Sequence, residues 1–536
     1  MQPRAVVAVV LLLVATPFVR AQTPPSLWFP VAQPPAAAVS WDAGERVKNP
    51  MIVQSAFVHV DAAALQALPP GGAGPMATFT LDLPSGPVPL ELTSDNWTLG
   101  YRTLRGHVPG KTSAVVLTIA GSGEVNGLLD VGDAQFALAS TPAAGVQVLQ
   151  SIDASQLPPS MASCGLDHTH AISSPLSGPQ ALVVGNSDCS LATIDIVVFY
   201  TPAARNGAGG TAAIETTIVN AIEQANVGHG ASAAPVEFRL VHLAETNYAE
   251  VGSNTDLSRF RSQSDGFMDE VHQVRDDYGG DLMHLIIEPP ASFCGVGYLM
   301  TNLSAGFASS AFAVTVRTCI PNRTLSHECG HNIGCHHDFA NAGSTPIYPY
   351  SYGYRTPDNA YRTIMSYAPG ARVNRWSGPN VTYQGYTMGV AGSADNVLSI
   401  ANTGATVAQF RATRAPRWCQ LGGGVGGAAG LPTLVGSGTI GQPGSLELRV
   451  ANYGATGLGV LILGLQPVNV PLFGGTLVPS IDYTDTLIGT GAEIVHDAGW
   501  LEPLAPGLQV WCQAAFLDAT APQGLSASDA VRVTRP

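Results

Sequence analysis

Charged residues are scarce in this 536-residue chain. Asp, Glu, Lys and Arg together make up 12% of it, against about 25% in an average soluble domain. The 38 acidic residues outnumber the 24 basic ones, which gives a formal net charge of −14. Because a surface of that sign repels polyanions, a general role in binding nucleic acid or anionic membranes is disfavoured.

Long apolar runs are also missing. The uncharged run 5–15 has 11 residues, whereas a membrane-spanning helix needs about 20. It follows Arg4 and precedes Val19-Arg20-Ala21, which is a plausible cleavage site with a small final residue. We therefore predict a signal peptide over residues 1–21 and a secreted, extracellular protein without a membrane span. A retained membrane anchor is the alternative.

Glycine and proline, by contrast, are abundant, at 59 and 40 residues. Turn formers combined with low charge favour β-rich structure over helical bundles. The length exceeds what one core supports, so two to four domains are expected. Residues 22–185 carry short alternating stretches between turn signals and no long helical period, which predicts a small β-rich domain.

From residue 194 onward, strand patterns alternate with helix patterns. We predict helices at 211–227, ended by Gly228, and within 256–278. Strands are predicted at 194–200, 236–244, 281–287, 297–300 and 311–317. This alternation predicts a twisted α/β sheet packed on helices.

The C-terminal third has two compositions. The glycine-rich run 422–430 predicts a flexible linker, placed within residues 413–430. Residues 431–536 alternate between apolar and polar positions and contain frequent turns, which predicts a β-sandwich accessory domain. By fold analogy alone, we predict that such a domain binds a surface or glycan ligand.

One segment holds a His-Glu-x-x-His pattern, at His327, Glu328 and His331. On a helix, positions i and i+4 share a face, so both imidazoles can aim at one metal ion. Glu328 is placed to reach a water on that metal, and Gly334 can turn the chain sharply. The turn would bring His337 to the metal as a third ligand.

Three protein ligands with an open fourth position are typical of catalytic zinc rather than structural zinc. His336 is the rival third ligand, but it lies one residue short of the required spacing. The non-functional alternative is that these histidines are solvated surface residues. It is disfavoured because the extended pattern fixes five residue types.

The run Thr363-Ile364-Met365-Ser366-Tyr367 follows the third histidine at some distance. Together, the histidine motif and Met365 resemble the zinc helix and Met-turn of the metzincin clan. Asp338 makes the motif most similar to the reprolysin (adamalysin-like) branch, while the Met-turn resembles those of astacins and serralysins. The resemblance implies a metzincin catalytic domain over residues 190–412, one catalytic Zn²⁺ and protein or peptide substrates, and it leaves structural Ca²⁺ open.

The same resemblance implies a mechanism. Glu328 would act as general base towards a zinc-activated water, and Tyr367 would either donate to the oxyanion or be a buried structural tyrosine. A secreted adhesion module with an inactive peptidase domain is the main rival, and zinc hydrolysis of a non-peptide substrate is a second.

Eight cysteines allow 105 pairings. Pairing sequence neighbours joins Cys294 to Cys319, Cys329 to Cys335 and Cys419 to Cys512. Cys164 has two interpretations. Its Cys-Gly-x-Asp context resembles matrix-metalloprotease prosegments, which implies a zinc-bound thiolate in a zymogen with residues 22–185 as propeptide. The alternative is a disulfide to Cys189. No Lys or Arg occurs between residues 151 and 200, which favours self-cleavage, or cleavage by another protease with a different preference, over activation by a basic-residue-specific protease.

Overall fold

The computed structural model describes most of the chain. The described residues are 24–68, 76–158, 164, 191–289, 293–415, 417–437, 447–491, 493–497 and 507–534. The predicted signal peptide and Cys189 lie outside these ranges. Within them, every helix is too short or too polar to cross a bilayer.

The first region is one antiparallel sheet of nine strands. Its order is β1-β2-β9-β8-β7-β6-β5-β4-β3. The strands are β1 Trp28–Pro30, β2 Ile52–Val60, β3 Ala77–Leu83, β4 Gly86–Thr98, β5 Tyr101–His107, β6 Ser113–Ile119, β7 Val125–Val131, β8 Ala134–Ser140 and β9 Gln147–Ile152. The β-rich character agrees with the sequence prediction for this part of the chain.

Two helices in this region were not predicted: α1 (Ala36–Lys48) and the short α2 (Ala62–Gln66). The prediction missed α1 because its buried positions, Ala38, Asp42 and Glu45, include two carboxylates. A helix that buries paired acids shows no apolar period of 3.6 residues, which is the signal that the sequence analysis used.

The second region contains a mixed sheet of order β11-β10-β12-β14-β13. Its first four strands are parallel, and the edge strand β13 is antiparallel to β14. The elements are β10 Ala192–Tyr200, α3 Pro202–Ala208, α4 Thr211–Ala231, β11 Val236–Glu245, α5 Ser253–Arg261, α6 Glu270–Tyr278, β12 Leu282–Ile287, β13 Gly295–Gly297 and β14 Phe312–Val316. A twisted mixed sheet with helices is what the alternation predicted.

Three predicted boundaries in this region were wrong. α4 continues through Gly228, where a Cβ would lie 2.5 Å from Asn374 Oδ1. That glycine therefore serves packing rather than termination. The helix expected within 256–278 is two helices, because the Asp269 carboxylate accepts N–H groups of the intervening turn. The edge strand occupies 295–297 rather than 297–300.

Below the sheet the chain is mostly irregular. It contains α7 Thr324–Asn332, β15 His336–Asp338, β16 Tyr352–Gly353, β17 Tyr361–Arg362, β18 Ala371–Arg372, β19 Thr382–Tyr383, β20 Tyr386–Thr387 and α8 Asn396–Val407. α7 contacts β13 and β14 of the mixed sheet on one side and the irregular segment that carries Met365 on the other, and the junction of these two parts is the cleft.

The C-terminal region holds further β-structure. The strands are β21 Arg417–Gly422, β22 Thr433–Ser437, β23 Glu447–Ala451, β24 Leu458–Gly464, β25 Pro467–Leu472, β26 Gly475–Pro479, β27 Tyr483–Ile488, β28 Glu493–Asp497, β29 Gln509–Leu517, β30 Leu525–Ala527 and β31 Ala530–Thr534. A six-stranded sheet and a three-stranded sheet share one hydrophobic cluster that includes Leu448 and Leu461.

The glycine-rich run 422–430 is not the flexible linker that its composition predicted. Gly424 N–H donates to Asp529 Oδ1 at 2.9 Å, and Val425 exchanges backbone hydrogen bonds with Ala527. A Cβ at Gly427 would lie 1.9 Å from Asp518 Oδ2. The glycines allow this run to lie directly against the C-terminal strands.

The nine-stranded sheet packs on α4 through polar groups as well as apolar ones. Asn220 Nδ2 donates to Val116 O, and Gln224 Nε2 donates to Leu128 O, both at 2.9 Å. Asn126 Nδ2 donates back to Ala213 O at 2.8 Å. The N-terminal region therefore sits in a fixed register on the mixed-sheet region.

A buried ion cluster fastens α1 to the same region. Arg317 bonds both carboxylate oxygens of Glu45, at 2.7 and 2.8 Å, and both of Glu288. Lys48 adds a contact to Glu288 at 2.7 Å. The two carboxylates balance the buried Arg317 guanidinium and the Lys48 ammonium, so the loss of one carboxylate leaves an excess positive charge at a largely buried cluster.

We predict that Glu45→Ala lowers the free energy of unfolding by about 3–5 kcal/mol, because it removes one of the two carboxylates that compensate the buried Arg317 and Glu288 alone must then balance two cations. The measurement is the urea dependence of the first unfolding transition, followed by fluorescence. Asp276→Ala is the control, since its pair with Arg411 is exposed and worth at most about 1 kcal/mol. Equal effects of the two substitutions would contradict the prediction.

Candidate active site

The helix α7 carries the histidine motif and is buried along its whole length. Two glycines let other groups approach it closely. A Cβ at Gly330 would lie 2.6 Å from Met365 Sδ, and a Cβ at Gly295 would lie 2.6 Å from Glu328 Oε1. Met365 therefore lies directly beneath the helix, and the edge strand β13 lies directly against Glu328.

The end of α7 turns the chain as the motif predicts. Gly334 has φ +91°, which is a conformation that favours glycine. Cys335 N–H donates to Gly330 O at 2.8 Å and closes the turn. The chain then runs into β15, which pairs with β16 and carries His337 back towards the two helix histidines.

Three imidazoles meet at this point. The ring centroids of His327, His331 and His337 lie 4.7–5.2 Å from one another. Each ring places its Nδ1 against a backbone carbonyl: His327 on Ile364 O at 2.8 Å, His331 on Cys335 O at 2.9 Å and His337 on Asn341 O at 3.3 Å.

These carbonyls determine the tautomer. A carbonyl only accepts hydrogen bonds, so Nδ1 of each ring must be the protonated nitrogen. Nε2 then carries a lone pair in each neutral ring, and burial lowers the pKa of His327 and of His337, which keeps both rings neutral. A backbone partner that orients a histidine in this way is typical of metal ligands.

The three Nε2 atoms fit a metal ion. Nε2 of His331 lies 3.1 Å from Nε2 of His337, where two lone pairs repel unless a cation lies between them. Tetrahedral bonds of about 2.0–2.1 Å place ligand nitrogens about 3.3 Å apart. Nε2 of His327 is buried and has no hydrogen-bond partner among the described residues. The Cys164 Sγ completes the group, with all four ligand atoms within 4.8 Å of one another.

Glu328 and Cys164 contact each other beside the histidines. The Cys164 thiol donates to Glu328 Oε2 at 3.2 Å, and its Sγ lies 3.7 Å from His331 Nε2. Cys164 retains a thiol, so the disulfide alternative to Cys189 is not formed. Burial raises the pKa of Glu328 to about 8, against the smaller opposing effects of the Cys164 hydrogen bond and the Arg372 charge.

Tyr367 closes the other side of this group. Its hydroxyl accepts the Cys164 N–H at 2.6 Å, and its own N–H donates to Asp338 Oδ2 at 2.9 Å. Burial raises the pKa of Tyr367, so the hydroxyl stays protonated and remains a donor. Asp338 therefore links the segment after the third histidine to the Met-turn, a role that the sequence pattern did not reveal.

His336 points elsewhere. Its Nε2 lies 2.9 Å from Ser344 Oγ, and its Nδ1 accepts the His337 N–H at 2.8 Å. Both nitrogens are engaged outside the histidine group, as expected when neighbouring side chains of an extended strand project to opposite faces.

One of the predicted disulfides is present, between Cys294 and Cys319. The other two predictions were wrong. Cys329 and Cys335 are buried thiols: Cys329 Sγ faces His284 Nδ1 at 3.5 Å, while Cys335 Sγ faces Asn396 O at 4.0 Å. They lie in different environments on either side of the turn. Cys419 is disulfide-bonded and Cys512 is a thiol, so these two are not joined to each other.

Two arginines near the cleft were also missed by the sequence analysis. Arg362 and Arg372 both donate to the carbonyl of Ser366, at 2.5 and 3.1 Å. No spacing rule connects them with the histidine motif, because only the fold of the irregular lower part brings them there.

We predict that His337→Gln weakens zinc binding by more than about 100-fold, since even the outer partners of metal ligands account for about 10–100-fold. Zinc titration of the metal-stripped chain measures this affinity. His336→Gln is the matched control and should change the affinity less than threefold, because both of its nitrogens bond elsewhere. A larger effect at His336 than at His337 would reverse the assignment.

Comparison with known proteins agrees with this geometry. Residues 190–377 match the family model Reprolysin_5, described as metallo-peptidase family M12. A peptidyl-Asp metalloendopeptidase of Stenotrophomonas maltophilia is 34% identical over 282 residues, which are 50% of this chain and 64% of that protein. The protein of that name in Xanthomonas campestris pv. campestris is 37% identical over 233 residues, covering 42% of this chain and 53% of the relative.

The protein of that name in Pseudomonas aeruginosa is 28% identical over 263 residues, which cover 43% of this chain and 42% of the relative. The chain thus covers less than two thirds of the length of each of these relatives. The family match spans the mixed sheet, α7, the three histidines and Met365. In sequence and in site geometry, residues 190–377 of this chain are similar to a metzincin-like metallopeptidase domain of family M12.

Proposed function

We propose that the chain is a secreted, zinc-dependent endopeptidase that cuts extracellular proteins. The observation that carries this proposal is the set of three imidazoles with unprotonated Nε2 atoms, beside the buried carboxylate of Glu328. In this proposal residues 22–185 are a propeptide, 190–412 the catalytic domain and 431–536 an accessory domain. A surface or glycan ligand for the accessory domain stays a prediction from fold analogy.

His327, His331 and His337 would hold the zinc through Nε2. When bound, zinc supplies Lewis acidity, which lowers the pKa of a water and polarises the scissile carbonyl. Glu328 accepts the proton of that water, and it delivers the proton to the departing amine as the C–N bond breaks. Its buried position and raised pKa suit both steps. The Tyr367 hydroxyl, which stays protonated, donates to the oxygen of the scissile carbonyl.

The edge strand β13 offers a place for an extended substrate. Cys164 already forms a parallel bridge with Gly295 of that strand, so the cleft accepts a peptide backbone beside Glu328 by strand addition. The relatives are named peptidyl-Asp metalloendopeptidases. We extend this substrate class to the present chain, with aspartate supplying the nitrogen of the scissile bond.

The rival interpretation, a secreted module with an inactive peptidase domain, is disfavoured by the detail of the site. An inactive descendant has no need for three oriented imidazoles with unprotonated Nε2 atoms, or for a buried carboxylate beside them. A non-peptide substrate is disfavoured because the edge strand contacts Glu328 directly, and such an edge presents hydrogen-bonding groups to an extended polypeptide.

We predict that Glu328→Gln lowers casein hydrolysis by about 10²–10⁴-fold, which is the usual contribution of a general base. Zinc content should stay at one ion per chain, because Glu328 is not among the ligands. Hydrolysis is followed by release of labelled fragments and zinc by atomic absorption. Glu237→Gln, which alters a carboxylate bonded to Thr193 in the sheet, is the control. Undiminished cleavage by the Glu328 variant would refute the base assignment.

We further propose that the chain is made as a zymogen and that Cys164 keeps it latent. The thiol lies where a fourth zinc ligand would bind, and a thiolate is a strong zinc ligand. The backbone of Cys164 bonds Tyr367 and pairs with β13, so the residue blocks the positions that substrate would use. The N-terminal sheet supports this position through its polar contacts with α4 and through the Glu45–Arg317 pair.

We predict that the unprocessed Cys164→Ala chain hydrolyses casein at least about 100-fold faster than the unprocessed wild type. A tethered thiolate acts at an effective concentration on the order of millimolar, and the variant lacks it. Cys512→Ala, which removes a buried thiol in the C-terminal region, is the matched control and should stay latent. Gel electrophoresis verifies that each chain is uncleaved. Equal latency of the two variants would contradict the role of Cys164.

A further inference from the structure

Two guanidinium groups converge at the floor of the cleft. Arg362 Nη1 and Arg372 Nη2 both donate to Ser366 O, the carbonyl that follows Met365. Arg362 also donates to Gly370 O at 2.8 Å. Arg362 is buried and Arg372 is half-buried. The two cations thus share one carbonyl between them, which is an arrangement with strong mutual repulsion.

Within the part of the chain that the structure describes, no carboxylate lies at ion-pair distance from either group. Asp338 is a carboxylate whose charge acts on both Arg362 and Arg372. It already accepts hydrogen bonds from the side chains of Arg355 and Asn341 and from the Tyr367 N–H. Among the described residues, Arg372 bonds only the carbonyls of Ser366 and Asn322, and its buried Nε has no partner there. Positive charge held out of water in this way is costly unless an anion joins it.

The position of Arg372 relates it to the proposed chemistry. Asn322 O lies just before α7 and Ser366 O lies in the Met-turn, so the guanidinium is fixed between the start of the zinc helix and that turn. Burial lowers the pKa of Arg372 to about 10, while the nearby Tyr367, Glu328 and Cys164 raise it. Arg372 therefore stays cationic at neutral pH and lies within electrostatic reach of the cleft groups.

Arg372 lies on the side of the cleft where the substrate residue after the scissile bond would bind. Glu328 passes its proton to the departing amine, so the residue that supplies this amine lies against Glu328. Arg372 acts on the charge of Glu328 and is fixed between Asn322 O and Ser366 O, so it lies on the side of Glu328 where the side chain of that residue would enter. For a peptidyl-Asp bond, this side chain is a carboxylate, and a guanidinium with unfilled donors is the group that binds carboxylates best.

We propose that Arg372, supported by the charge of Arg362, binds the aspartate side chain of the substrate and so determines the specificity for peptidyl-Asp bonds. This inference rests on the proposed function. Arg372 takes no part in proton transfer, and its role is to favour one substrate side chain over others.

Other arginines near the site are less suited to this role. Arg355 forms an ion pair with Asp338, and Arg323 forms an ion pair with Asp130 of β7. Arg375 lies over the ring of Tyr383 and bonds Asn374 O. Arg375 is on the same segment as Arg372, is also an arginine, and does not act on Glu328 or Tyr367, which makes it a matched control.

The test compares two peptides that differ only in Asp or Asn on the amine side of the scissile bond. kcat/KM is measured for the processed, zinc-loaded wild type and for R372Q, R372K and R375Q. Asn has the shape of Asp without its charge, so the Asp:Asn ratio reports carboxylate recognition. We expect R372Q to lower this ratio about 100-fold, which is the scale of a lost charge-assisted hydrogen-bond pair. Its kcat/KM for the Asn peptide should change less than threefold.

R372K should give an intermediate loss of about tenfold, because lysine keeps the charge but not the planar fork. R375Q should keep the wild-type ratio. Zinc content and the hydrolysis of the Asn peptide report whether each variant is folded. If R372Q loses its zinc or its hydrolysis of the Asn peptide, the Asp:Asn ratio of R372K is used instead. An unchanged Asp:Asn ratio in R372K overturns the inference.

The outcomes separate the inference from the proposed function. A wild-type preference for Asp that persists in R372Q overturns the role of Arg372 and leaves the peptidase intact. A wild type that cuts both peptides equally overturns the Asp specificity together with this inference. A wild type that is zinc-loaded and processed but cuts neither these peptides nor casein overturns the proposed function itself.

Discussion

The convergence of three unprotonated imidazole nitrogens is the constraint on which the rest of this site depends. The Nε2 atoms of His331 and His337 lie 3.1 Å apart, and two neutral rings whose lone pairs meet in this way are unfavourable neighbours unless a cation joins them. Each ring is held in that tautomer by a carbonyl from a different place: the Met-turn, the end of α7, and the segment after β15. A change in any one of these segments would leave one Nδ1–H group without its carbonyl acceptor. The ring could then rotate, and its Nε2 would no longer point at the other two.

This requirement explains several features that otherwise look unrelated. Gly330 brings Met365 against α7, and Met365 lies next to Ile364, whose carbonyl orients His327. Gly334 makes the turn in which Cys335 O orients His331. Asp338 ties the Tyr367 N–H to the strand that carries His337. The Met-turn thus acts as a backbone support for the three histidines.

The N-terminal sheet meets the mixed-sheet region through a surface that combines apolar contacts with amide and ion-pair contacts. Asn220 and Gln224 of α4 bond strand carbonyls, while Arg317 bonds Glu45. Polar groups of this kind can be hydrated after separation, at a lower cost than an all-apolar face. Interfaces between domains that later part tend to be of this more polar type. The surface is therefore compatible with the proposed propeptide, which would hold Cys164 beside the histidines and later be released.

Sequence reasoning anticipated the parts of this protein that depend on local spacing. His327, His331 and Gly334 follow from helix geometry, and β10 and β12 follow from apolar runs. It failed where tertiary contacts override local signals. α1 buries paired carboxylates, Gly228 packs on Asn374 without ending α4, and the glycines at 422–430 lie against strands. Cys329 and Cys335 are near in sequence, yet their thiols face different neighbours across a turn, which spacing alone cannot show.

The electrostatics of the cleft differ from those of the whole chain. A net charge of −14 disfavours the approach of acidic peptides, but charges further apart than about 8–10 Å are largely screened at physiological ionic strength. An acidic side chain in the cleft therefore responds to the groups nearest to it. There, Arg372 acts on Glu328, and both Arg362 and Arg372 are influenced by the already paired Asp338. A protein with few basic residues has thus placed two of them where no carboxylate among the described residues pairs with them. That placement is costly for folding, and a substrate carboxylate would offset it.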